Sequence, residues 1–161
     1  MELPIWVNEE LFESALIRYY NDKTLKLVDF SCNSANPTGE NYTTDVFRAH
    51  LRYTGKTGKN GQINNISIIV KCTHEGGLLE SLAKDINLFD KELDMFSTIL
   101  PKMNELRGRL GSFSAGCLKY IEKPLQALFL EDLCPLGYAV HERRYGLDLE
   151  HTQAILRILA H

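Results

Sequence analysis

Ile66-Ser67-Ile68-Ile69-Val70-Lys71 is the stretch on which the fold turns. Its apolar residues are all β-branched, and it follows a glycine-rich segment, Thr54–Gly61. That combination reads as a strand entered from a hairpin connection, running from about Ile63 to Cys72. The two-residue period places Lys71 on the face of Ser67 and Ile69, opposite Ile68 and Val70. A lysine in that place is either a solvated strand end or, where its face lines a cleft, a point charge for a phosphate.

Working outward, the segment Tyr42 to Tyr53 reads as the partner strand. Val46, Ala49 and Leu51 are apolar there, while Arg48, His50 and Arg52 alternate outward. Leu25 to Phe30 reads as an earlier strand, and Ser31–Thr38 as turn-rich chain. Asn8 is placed to cap a first helix through Tyr20, whose apolar face carries Leu11, Ala15, Leu16 and Tyr19. Downstream, Gly76-Gly77 precedes a long helical pattern, Leu78 to Ile99, which Pro101 helps to stop. Two shorter strands are expected near Ala115–Ile121 and Ala127–Leu130, joined by a turn at Glu122-Lys-Pro124. A last helix begins after Gly146, with Asp148 as cap and Leu149, Thr152, Ile155, Leu156 and Leu159 on its buried side. The pattern is α+β, an antiparallel sheet of about five strands with a helix packed on it.

Glu92 raises the interest of Lys71. Its helical neighbours three and four residues away are Leu88, Phe89, Met95 and Phe96, all large and apolar. A carboxylate in such a stripe faces a desolvation cost unless a cation meets it. Lys71 is the expected cation, because a helix following a strand tends to pack back on its sheet. The alternative is a Glu92 at the stripe's edge, reaching water.

Two further segments bear on chemistry. Gly39-Glu40-Asn41-Tyr42 lies between the first two strands, where a glycine lets backbone N–H groups approach an anion. It is neither G-x-G-x-x-G nor a Walker loop, and an ordinary turn is the competing reading. Leu128-Phe129-Leu130-Glu131-Asp132-Leu133 is an apolar strand that turns acidic. It reads either as a strand end or as a hinge whose backbone groups meet a purine edge.

Composition bounds the rest. The chain has 161 residues, 44% hydrophobic and 24% charged, enough for one domain or part of a larger one. A net charge of −3, with 18 dispersed Lys and Arg, argues against a nucleic-acid partner. Cys32, Cys72, Cys117 and Cys134 form no C-x-x-C, and the histidines show no zinc spacing. Free thiols in a reducing, cytoplasmic setting are the expectation. The first residues lack a secretory pattern and no apolar run reaches membrane length, so no membrane partner is expected. No G-x-S-x-G elbow marks a nucleophile.

Taken in order, these segments resemble the ecdysteroid kinase-like family, also called the choline-kinase-like domain family, which is related to aminoglycoside phosphotransferases and choline kinases. The resemblance rests on Leu3-Pro-Ile-Trp6, Gly39-Glu-Asn-Tyr-Thr-Thr-Asp-Val-Phe-Arg48, Ile68-Ile-Val-Lys71, Phe89-Asp-Lys-Glu92 running on to Ile99-Leu-Pro101, Leu128-Phe-Leu-Glu-Asp-Leu133, and Gly146-Leu-Asp-Leu-Glu-His151 running on to Leu159-Ala-His161. It implies the N-terminal lobe of a kinase-type fold, ATP as cofactor, and phosphorylation of hydroxyls on small molecules, ecdysteroids among them. Lys71 would hold the ATP phosphates and Glu92 would orient Lys71. The turn of Gly39, Glu40, Asn41 and Tyr42 would cover the phosphates, and the hinge from Glu131 to Leu133 would face adenine.

The family pattern continues into a helical lobe with a His-Gly-Asp catalytic loop and an Asp-Phe-Gln metal site, and neither motif occurs in this sequence. Val28-Asp29-Phe30 imitates the second but precedes the glycine turn. The expectation is therefore a single partial domain over residues 1–161, with a helical extension at 1–22 and the start of the further lobe at 147–161. ATP binding would be weak or vestigial, with Mg²⁺ only if the further lobe were present, and the acceptor is unknown. Phosphate transfer depends on placing metal and acceptor, so these residues alone should be inactive and should self-associate through the lobe-docking surface. That surface is expected near Leu147, Ile155, Leu156, Leu159 and the Leu128–Leu133 segment. Two other readings stand beside this one: a non-catalytic nucleotide-binding or interaction module derived from the family, and an unrelated small α+β binding domain.

Overall fold

The structure, a computed structural model, describes residues 4, 6–35, 44–57, 62–73, 87–112, 114–122, 126–142 and 144–160. Helix α1 (Glu9–Tyr20) begins where Asn8 Oδ1 accepts the Leu11 amide at 3.1 Å and ends at Asn21 in the left-handed region. An asparagine tolerates that conformation, so it closes a helix as glycine would. Strands β1 (Lys26–Ser34), β2 (Thr44–Thr54), β3 (Asn64–Thr73), β4 (Cys117–Ile121) and β5 (Ala127–Glu131) follow. They form one sheet in the order β1-β2-β3-β5-β4, every described pair antiparallel. This is the α+β architecture of a kinase-type N-terminal lobe.

β1 runs four residues beyond the expected end, through Ser31-Cys32-Asn33-Ser34, where turn chemistry was predicted. These polar residues are held by their ladder to β2, Cys32 opposite Ala49 and Ser34 opposite Phe47. Pairing overrides local propensity at a sheet edge.

The alternation sorts the core. Phe47, Ala49, Leu51 and Tyr53 of β2 share one face with Ile68, Val70 and Cys72 of β3 and Ala127 and Phe129 of β5. Phe12, Ala15 and Leu16 of α1 close that face, with the Phe12 and Phe129 rings in edge contact at 5.9 Å. Glu13 ties the helix to β1, accepting the Leu27 amide at 2.9 Å and Lys26 Nζ at 3.0 Å. Asp22 ties the next turn to the β2–β3 hairpin, accepting the amides of Thr24, Lys56 and Thr57 and both threonine hydroxyls.

The opposite face is covered by the long helix. Helix α2 (Leu88–Asp94) continues through a π-helical turn (Met95–Ile99) into α3 (Leu100–Arg107). Pro101 does not stop it, contrary to the expectation from sequence. The Leu100 amide bonds to Met95 O, five residues back, and this widened turn precedes a proline that has no N–H to give. Phe89 and Leu93 pack on Leu128 and Leu130, with Ile69, Phe96, Cys117 and Tyr120 around them. The inward stripe is thus Phe89, Leu93 and Phe96. Leu88 and Met95, read from sequence as part of it, are exposed.

Helix α4 (Leu149–Leu159) is capped by Asp148, which accepts the His151 amide at 2.8 Å. Its expected buried side, Leu149, Thr152, Ile155, Leu156 and Leu159, is exposed. The amphipathic pattern is real, but nothing among the described residues covers it. The β5 segment departs from expectation in the other direction: Leu128 and Phe129 are fully buried and Leu130 nearly so. They fill the two layers on either side of the sheet and leave no apolar patch there among the described residues. The exposed apolar residues come just after, at Leu136, Tyr138, Val140 and Tyr145.

Candidate functional site

Lys71 lies opposite Val46 on β2 and opposite Leu128 on β5, so it stands in the middle of the sheet. Its face is the one that α2 covers. From α2 the Glu92 carboxylate reaches across, and Lys71 Nζ donates to Oε1 at 2.7 Å and to Oε2 at 2.6 Å. Both side chains are partly buried, at 27% and 26% exposure. Glu92 sits at the edge of the Phe89–Leu93–Phe96 stripe, where partial burial strengthens the pair yet leaves the ammonium open on one side.

Neighbouring contacts fix the helix that carries Glu92. Gln126 Nε2 donates to Asp90 Oδ1, joining α2 to the start of β5. The Thr73 amide donates to Gln126 O at 3.0 Å, so the same residue also holds the end of β3. The two strands and the helix that present Lys71 and Glu92 are therefore mutually braced.

The segment after β5 is shaped by Asp132. It is 5% exposed, and its Oδ2 accepts Arg48 Nε at 2.8 Å and Ser67 Oγ at 2.6 Å. Oδ1 accepts the Cys134 amide at 3.1 Å. Burial alone would raise the Asp132 pKa. The Ser67 hydroxyl, the Cys134 amide and the Arg48 guanidinium outweigh it, and the net shift is downward. Arg48, expected from alternation to face water, instead closes this network. Strand pattern shows which face a residue takes, but not what meets it there.

Glu131 turns the other way. Its carboxylate accepts the Gly116 amide at 3.1 Å, while its own amide donates to Gly116 O at 2.8 Å. The Leu133 carbonyl accepts the amides of Leu136 and Tyr138, which curl the chain into a 3₁₀ turn, Cys134–Leu136. Gly39, Glu40, Asn41 and Tyr42 lie outside the described residues. Asp29 of the Val28-Asp29-Phe30 imitation is on β1, paired with Arg52 at 2.7 Å on the surface and away from Lys71. Among the described residues, no group of three His, Cys, Asp or Glu is placed to hold a metal ion. Nor is any helix among them long and apolar enough to cross a membrane.

The structure thus brings Lys71 and Glu92 together on one sheet face, with a sharply turned acidic segment beyond it. That is the arrangement by which a kinase-type lobe holds a phosphate-binding lysine in place. No curated protein and no solved structure matches the chain. The model of the ecdysteroid kinase-like family matches residues 38–161. On that match, and on a sheet, lysine and helix arranged as a kinase lobe requires, the chain belongs to the ecdysteroid kinase-like family.

Proposed function

We propose that this chain is the ATP-holding lobe of a small-molecule kinase, with the lobe's usual division of labour between lysine, helix and hinge. Lys71 takes the nucleotide phosphates as a point charge. Glu92 keeps the ammonium aimed into the cleft and restrains its flexible stem. The Gly39–Tyr42 turn covers the phosphates, and the chain from Glu131 to Leu133 meets the purine edge. Mg²⁺, when bound, would neutralise phosphate charge, but its family ligands belong to an Asp-Phe-Gln motif absent from this sequence. The acceptor is a small molecule bearing a hydroxyl, with an ecdysteroid-like steroid in view from the family. These 161 residues carry no His-Gly-Asp loop to place that hydroxyl, so binding without transfer is the activity proposed for them. The four free thiols suit a reducing, cytoplasmic setting.

The observation that carries this reading is the two-oxygen ion pair between Lys71 and Glu92. A non-catalytic nucleotide-binding or interaction module of the same descent is favoured by a different observation, the exposed apolar side of α4. Calorimetric titration with ATP tests the first reading. The chain is expected to bind ATP, Lys71→Met to abolish measurable binding, and Glu92→Gln to weaken it about tenfold. Equal affinity in all three proteins would leave the lysine without its assigned task.

A further inference from the structure

The strongest feature not used so far is the buried carboxylate of Asp132 and the guanidinium that meets it. Arg48 is opposite Ile69 in the β2–β3 ladder, and Val46 is opposite Lys71. Directly opposed residues share a face, so Arg48 stands on the Lys71 face, about 7 Å along the sheet from the Val46–Lys71 pair. It lies on the side toward Asp132, since Ile69 is opposite Leu130 and Ile68 is opposite Glu131. The guanidinium forks. Nε holds Asp132 Oδ2, and Nη2 points at Cys134 Sγ at 3.2 Å. One side chain from β2 therefore grips two positions of the segment that leaves β5. Ser67 of β3 grips the same carboxylate.

The geometry points to Arg48 and Asp132 as positioning residues that set the backbone of the Glu131–Leu133 segment, and so the base end of the nucleotide site. The inference rests on the nucleotide reading given above. Side chains there leave little room for direct readout, because Glu131 is turned toward Gly116 and Asp132 is enclosed. What remains for a purine is backbone, and backbone is useful only when its direction is fixed. A carboxylate with three donors from β2, β3 and the segment itself supplies that fixity. A buried carboxylate stripped of its cation would instead drive local rearrangement. Lysine could replace the charge of Arg48 but not the fork that spans residues 132 and 134.

The test separates the two ends of the site. The chain and its Asp132→Asn and Arg48→Lys variants are titrated with ATP, adenosine and inorganic tripolyphosphate, and Lys71→Met serves as the opposite control. Both hinge variants should lose about tenfold in affinity for adenosine and ATP while keeping that for tripolyphosphate. Lys71→Met should instead lose affinity for tripolyphosphate and ATP while keeping that for adenosine. Amide exchange should quicken at residues 132–134 in both hinge variants and hold elsewhere. Unchanged adenosine affinity, a loss shared equally by all three ligands, or unchanged exchange at 132–134 would each overturn the positioning role. Failure of the parent chain to bind any of the three would instead overturn the nucleotide reading, and this inference with it.

Discussion

Lys71 and Glu92 show what a single pair of residues contributes at two levels. Exposed ion pairs contribute about 0–1 kcal/mol, whereas breaking a buried one costs ~3–5 kcal/mol. At roughly a quarter exposure this pair falls between, and Glu92→Gln should cost about 1–2 kcal/mol in urea unfolding. A cost near zero would mean that solvent screens the pair. Asp22 makes a prediction about pH. Donors from Thr24, backbone and hydroxyl, and from the Thr57 amide hold its pKa far below the ordinary value of 3.8. Because the folded pKa is depressed, its contribution is fully present above the unfolded value and is lost as pH falls through the folded one. Asp22→Asn should therefore be less stable than the parent at pH 7, with the gap closing below about pH 4. A gap independent of pH would contradict this. A methyl group at Gly55 would meet Asp22 Oδ2 at 3.0 Å and Leu25 Cα at 3.3 Å, so Gly55→Ala should also press on the contacts by which Asp22 holds the β2–β3 hairpin. At this scale the Lys71–Glu92 pair could be read from sequence, because a carboxylate in an apolar helix calls for a cation. The Arg48–Asp132 pair could not, since the two are 84 residues apart and nothing local links them.

Among the elements, the strands were the most legible, because runs such as Ile66–Val70 alternate between faces and admit few other readings. The helix carrying Glu92 was legible in kind but not in extent. A proline is normally a stop, yet here Pro101 follows the π-helical turn Met95–Ile99, and the helix runs on through it to Arg107. The π turn before it had no signal in the sequence. Because the widened turn already accommodates the ring, Pro101→Ala is expected to change stability by less than about 1 kcal/mol in thermal unfolding. A larger gain would show that the proline strains the helix after all. Phe89 anchors the same helix at 5% exposure. Phe89→Ala should cost about 3 kcal/mol and should weaken ATP binding too, because Glu92 is held in register only while the stripe is seated.

At the scale of the whole molecule, one sheet separates two tasks. α1 closes one face as a packed core, and the other face carries Lys71, met by Glu92 of α2, with Asp132 held by Ser67 and Arg48. Sequence conveyed this division only in part. It marked the strands and the lysine, but the side of the sheet that each helix takes is a property of the closed fold. The exposed stripe of Leu149, Ile155, Leu156 and Leu159 on α4 is the largest mismatch between pattern and burial. Concentrated solutions of this chain should self-associate through it, and Leu156→Glu should reduce that association in sedimentation equilibrium. An unchanged association constant would place the contact elsewhere. The central claim is that Lys71 is the residue that meets nucleotide phosphate. An acyl-phosphate derivative of ATP tests it most directly, since it transfers its acyl group to a lysine amine held at the phosphates and releases ATP. Peptide mapping should find the acyl group concentrated on Lys71, with excess ATP suppressing it. Label spread over exposed lysines such as Lys26, Lys91 and Lys102, indifferent to ATP, would contradict the account.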